Sequence, residues 1–178
     1  MAFQFKIQLN RISKPPVTRE LVVNDNISFH KFHEIIQIAM GWAECHLYMF
    51  SPKGYGSFPK FEENTPDAGI DFAPISYLKL GYDGTFDSGK VKLKDYFEIV
   101  KDQITYIYDF GDDWKHTITL IKITDLNVDK PFQLLVVPER PNGLAQSAIE
   151  MVRLQGGKPS YAHTFLSLSL LFAEHPIE

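Results

Sequence analysis

Between residues 106 and 120 the chain reads YIYDFGDDWKHTITL, two alternating runs that meet at an acidic, glycine-bearing break. Successive side chains on a strand point to opposite faces, so each run specifies one face. In the first arm Ile104, Tyr106, Tyr108 and Phe110 share a side, with Thr105, Ile107 and Asp109 opposite. In the second, Trp114, His116, Ile118 and Leu120 share a side, with Lys115, Thr117 and Thr119 opposite. Two such runs joined by a short glycine-containing loop predict a β-hairpin. Gly111 is expected to supply a positive φ, and Asp112 or Asp113 to bond nearby backbone N–H groups. The Tyr108 and Trp114 rings are expected to pack near the loop across the two strands. His116, among apolar neighbours, is expected to hydrogen-bond a carboxylate such as Asp109 or Asp112.

Upstream, residues 2–10 alternate in the same way: Phe3, Phe5, Ile7 and Leu9 against Gln4, Lys6 and Gln8. Pro15 and Pro16 mark a turn, and residues 17–23 read as a second strand pairing back on the first. Ser28 then caps a predicted helix with an apolar stripe of Phe29, Phe32, Ile36, Ala39 and Met40, ended by Gly41. His30 and His33, three apart, share a side of this helix. A solvated border is the plain reading of that pair and a metal pair the sharper one. Residues 46–50 give a third strand. A long irregular stretch, 51–74, follows, and loops of that length are either functional or disordered. Residues 76–80 read as a short strand or helical turn, and 91–100 as containing a short helix around LKDYFEIV. Strands are expected at 104–109, 114–123 and 132–137, and helices at 144–154 and 161–173. No internal repeat or low-complexity linker divides the chain.

The chain's 178 residues suit one domain with a proper core. Its 44% apolar and 22% charged residues are a globular composition. A net charge of −4 gives no basic footprint for nucleic acid. The lone Cys45 excludes an internal disulfide and a cysteine-based zinc site. The start, MAFQFKIQLN, lacks the pattern of a signal peptide, and no apolar run is long enough to span a bilayer, so a cytoplasmic protein without membrane attachment is the expectation. The letters DFG also occur in protein kinases, but no glycine-rich phosphate loop or catalytic-loop motif accompanies them. The fragment GYG at 54–56 is better read as a flexible loop than as a phosphate cradle.

The segment PPVTRELVVNDNISFHKFHEIIQIAMGWAECHLYMF, followed later by YIYDFGDDWKHTITL, resembles the plasmid pRiA ORF-3-like family. The matching features are a proline-led strand, a capped helix ending in Gly41–Trp42, a His-Leu strand start at His46, and the YDFGD-x-W-x-H hairpin. The resemblance implies a single α+β domain over residues 1–178, a mainly antiparallel or mixed sheet with flanking helices that starts strand-strand-helix-strand. It carries transposon-passenger and resolvase-like labels but no catalytic residues. Two departures stand out. Thr18 precedes Arg19 where the family has tryptophan. From about residue 138 the chain reads PERPNGLAQSAIEMVRLQGGKPSYAHTF in place of a Pro-Pro-Glu-Asp and Gly-Gly signature, through natural divergence or a reading-frame slip. Recombination by a serine or tyrosine enzyme needs clustered arginines, and this chain has Arg11, Arg19, Arg140 and Arg153.

The leading expectation is a non-catalytic interaction module. Its surface is an aromatic and acidic rim formed by Trp42, His46, Tyr48, Tyr108, Asp109, Asp112, Trp114 and His116, and it would take a protein or a cationic group rather than nucleic acid. No cofactor is expected on this reading. The rival is a metal-assisted hydrolase or phosphoryl-transfer enzyme in which Asp109, Asp112, Asp113 and His116 hold a divalent cation, with His46 or His116 as base. A purely structural acidic turn is the plain alternative to both.

Overall fold

The computed structural model of the chain describes residues 1–66, 69–128, 132–136, 149–155 and 158–160. Its centre is β1 (Ala2–Ser13), flanked by β2 (Pro16–Asn24) and β7 (Trp114–Thr124), both antiparallel to it. Phe3, Phe5, Ile7 and Leu9 are buried and Lys6 and Gln8 exposed, as the alternation requires. Phe5 stands opposite Leu21 on one side and Leu120 on the other, so the apolar rows of three strands coincide.

That face is covered by α1 (Phe29–Met40). Ser28 accepts the Lys31 N–H at 3.1 Å, and Gly41, at φ 77°, ends the helix in the left-handed region. The Gly41 and Trp42 amides bond back to the Ile38 and Gln37 carbonyls, and Arg19 of β2 donates from Nε to the Ala39 carbonyl at 2.8 Å. The helix end is therefore tied to the sheet, which fixes where Trp42 begins. Phe29, Phe32, Ile35, Ile36 and Ala39 are buried, together with His33 and Gln37. Phe32 packs on Phe5 at 4.9 Å and Phe29 stacks on Phe61 at 4.3 Å. Each fully buried Phe contributes about 1.5–3 kcal/mol, so this aromatic layer dominates the core.

The sheet continues from β7 through β6 (Gln103–Tyr108) and β3 (Tyr48–Ser51) to β4 (Lys60–Glu62) and β5 (Thr85–Asp87). On the far side of β2 it adds β8 (Phe132–Val136), β9 (Ile149–Gln155) and β10 (Lys158–Ser160). All pairs are antiparallel except β4 with β5, so the sheet is mixed and opens strand-strand-helix-strand. No helix among the described residues is long and apolar enough to cross a membrane.

Among the described residues helix is scarcer than the sequence suggests, and α+β holds only coarsely. Residues 149–154, expected within a helix at 144–154, belong to β9, and the helix expected at 161–173 lies outside the described residues. Around LKDYFEIV only a 3₁₀ turn forms, Leu93–Asp95. The Asp102 carboxylate takes the Glu98 and Ile99 amides at 2.8 and 2.9 Å and turns the chain before a helix can propagate. The 51–74 stretch contains β4, and its Gly54 approaches the Ile107 and Thr105 side chains, covering the outer face of β6. β4 and β5 are three residues each, too short for periodicity to register.

Candidate functional site

The hairpin forms in the expected register, with Tyr108 opposite Trp114, Tyr106 opposite His116 and Ile104 opposite Ile118. Its loop is built differently. Positive φ falls on Asp109 (56°) and Asp113 (58°), and Gly111 is not among the left-handed residues. Asp109 tolerates that region because its Oδ1 accepts the Gly111 and Asp112 amides at 3.0 and 3.3 Å. Glycine is needed at 111 for space: a Cβ there would lie 3.2 Å from the Asp109 Oδ1. Asp113 pairs with Arg11 at 3.1 Å and Lys115 at 3.0 Å, and hydrogen bonding to Lys115 holds its carboxyl below the usual range.

The four proposed metal ligands of this loop do not converge. Asp109 and Asp113 are committed to amides and cations, Asp112 is exposed, and His116 points to the buried face of β7. Among the described residues, no three histidine, cysteine or carboxylate side chains are placed to hold one metal ion. His116 also corrects the expected carboxylate contact. It is fully buried, and neither ring nitrogen has a hydrogen-bond partner among the described residues. Burial pushes its pKa down to about 4, and polar backbone groups of Tyr106 and Trp114 beside the ring act against the shift.

Above His116 lies an aromatic cluster. Trp42, just past the end of α1, stacks on Tyr108 at 5.0 Å, meets Trp114 at 6.0 Å and covers the His116 ring edge-on at 5.2 Å. Trp114 keeps 37% of its surface exposed. His46 stands at 5.9 Å from Tyr108, with its Nε2 at 3.5 Å from Asp109 Oδ2. Helix end, β3 approach and hairpin thus meet, bringing together Trp42, His46, Tyr108, Asp109 and Trp114. Tyr48 does not join them. It is buried, and its hydroxyl bonds His30 Nδ1 and Ser88 Oγ, each at 2.8 Å.

Tyr48 belongs to a second group that sequence reasoning largely missed. A cleft of about 460 Å³ opens between α1, the segment after it and the end of β4, lined by His30, His33, Glu44, Cys45, His46, Leu47 and Glu63. His33 is on its wall, 2% exposed and stacked on Tyr48 at 3.6 Å, so the expected solvated border describes His30 but not His33. Burial, followed by the neighbouring His30, pushes the His33 pKa down to about 3.

The network fixes the His33 tautomer. The Glu44 amide donates to Gln37 Oε1 at 3.2 Å, so the Gln37 Nε2 donates to the Tyr106 oxygen at 2.9 Å. Tyr106 then donates its own proton to His33 Nδ1 at 2.7 Å. The imidazole proton therefore sits on Nε2, which faces Glu44 Oε1 at 3.5 Å, longer than a well-formed hydrogen bond. A nitrogen carrying a proton is a donor, not a metal ligand. Gln37 and Glu44 leave no local sequence signal, because their partners come from β6 and from one another; only the His30/His33 spacing pointed here.

Three comparisons bear on this arrangement. The profile of the plasmid pRiA4b ORF-3-like protein family matches residues 1–142. Uncharacterized protein y4hQ of Sinorhizobium fredii (strain NBRC 101917 / NGR234) is 33% identical over 117 residues, 66% of this chain and 52% of the relative, so the chain spans about half that protein's length. The crystal structure of the protein of unknown function MM3350 from Methanosarcina mazei Go1 superposes with a TM-score of 0.56 at 28% identity, over 74% of this chain and 67% of the other.

Proposed function

For this chain, which belongs to the plasmid pRiA4b ORF-3-like family, we propose a non-catalytic recognition role: the aromatic rim binds a cationic segment of a partner protein. The observation that carries the reading is the Trp42–Tyr108 stack with the part-exposed Trp114 beside it, flanked by Asp109. Stacked aromatic faces attract cations, and large rigid rings give contact area at low entropic cost. The adjoining carboxylates Asp109, Asp112 and Glu44 set the sign of the partner, and the net charge of −4 disfavours nucleic acid. Metal-assisted hydrolysis through Asp109, Asp112 and Asp113 is the weaker reading, since Asp109 already serves loop amides and Asp113 two cationic side chains. Recombination fares no better on four arginines.

The chain's two tryptophans both lie in the rim, so intrinsic fluorescence reports on it directly. Titration with tetralysine and with tetraglutamate is the test. A saturable, salt-sensitive change with tetralysine alone, weakened in Trp114→Ala, is the expected result. No saturable change with the cationic peptide overturns the reading.

A further inference from the structure

We propose that the cleft beside the rim is an alkylammonium pocket that accepts a lysine-type side chain between Glu44 and Glu63. The inference rests on the reading above that the partner is cationic, and it adds where the charge goes and which cation fits.

The lining holds two carboxylates, no lysine and no arginine. Its volume of about 460 Å³ falls in the range of ligand pockets. His33 contributes no positive charge, because its Nδ1 accepts the Tyr106 proton and the ring is neutral by geometry. The nearly fully buried imidazole lies with its Nε2 3.5 Å from one Glu44 oxygen, at the cleft wall.

Glu44 itself is held with effort. It adopts φ 52°, a region that non-glycine residues enter at a cost, and the Gln37 side chain pins its amide there. Glu63 comes from the other wall, after β4. Carboxylates from two separate elements suit a compact ammonium with three rotatable donors better than a planar guanidinium, which prefers one bidentate partner. Leu47, 55% exposed at the same cleft, offers apolar surface for a four-carbon stem. Cys45 lines the cleft while its amide is held by the Tyr108 hydroxyl at 3.1 Å, so pocket and rim are contiguous.

The test measures tetralysine, tetra-arginine and spermidine binding to the full chain by calorimetry, with wild type, Glu44→Gln, Glu63→Gln and the double variant. Both carboxylates are at the surface, and a melting curve for each variant verifies folding. Expected are tighter binding of tetralysine than of tetra-arginine, about a tenfold loss in each single variant from one charge-assisted hydrogen bond, and chemical-shift changes at the Glu44, Cys45 and Glu63 amides. Spermidine binding as tightly as tetralysine identifies a free polyamine as the source of the ammonium; weaker spermidine binding identifies a lysine side chain. Tetralysine binding unchanged in the double variant overturns the pocket while leaving the rim reading intact. No binding of any cation to wild type overturns both.

Discussion

Replacing His116 by leucine is expected to stabilise the protein, and to do so more in acid. The imidazole is fully buried between Trp42 and Tyr106, with neither nitrogen hydrogen-bonded among the described residues. An unsatisfied buried polar group costs about 1–3 kcal/mol, and an apolar side chain of similar volume removes that cost. Part of the gain is offset by the lost ring contacts with Trp42 and Tyr106, so a net gain of about 1 kcal/mol at pH 7.5 is expected.

Acid enlarges the difference. The folded pKa of His116, about 4, lies below the ordinary 6.5, so between these values the unfolded chain binds the extra proton. The stability that depends on a neutral His116 is complete above pH 6.5 and is lost as pH falls towards 4. The whole gap corresponds to about 3 kcal/mol, and at pH 5 about 2 kcal/mol has gone. His33, whose pKa is also lowered, is present in both proteins and cancels in the comparison. Urea unfolding followed by tryptophan fluorescence at pH 7.5 and 5.0 gives the two differences. Leucine at 116 should lead by about 1 kcal/mol at the higher pH and about 3 kcal/mol at the lower. A variant destabilised by more than 2 kcal/mol at pH 7.5, with the same acid sensitivity as wild type, would refute the assignment of an unpartnered neutral imidazole.

Two further substitutions probe the supports of the site. Arg19→Ala frees the Ala39 carbonyl at the end of α1 and should cost about 1.5–3 kcal/mol, read as a lower urea midpoint, with Trp42 fluorescence shifted because the helix end carries that ring. Gly111→Ala should cost about 1 kcal/mol by pressing a Cβ on the Asp109 carboxylate, and Gly111→Ala combined with Asp109→Ala should show less than the sum of the two losses, since the contact is shared.

Local pattern determined the strands and the helix that carry the site. Alternation in Phe3 to Leu9 and across the Tyr108–Trp114 hairpin, and the Ser28 and Gly41 caps of α1, are readable because each depends on a strand or helix period or on a cap within a few residues. The meeting of Trp42, Tyr108 and Trp114 was legible for the same reason: each ring stands at the end of an element whose end is marked. The loop chemistry was not, since whether Gly111 supplies φ or space depends on where the Asp109 carboxylate turns. Tertiary structure alone decided the fate of the histidines. His33 and His116 look alike in sequence, each bordering apolar residues, yet one is locked by Tyr106 and Gln37 into a donor facing a cleft and the other is sealed beneath Trp42 with no partner among the described residues. Hydrogen bonds between residues some seventy positions apart have no period, and only the packing of α1 on β6 brings those groups together.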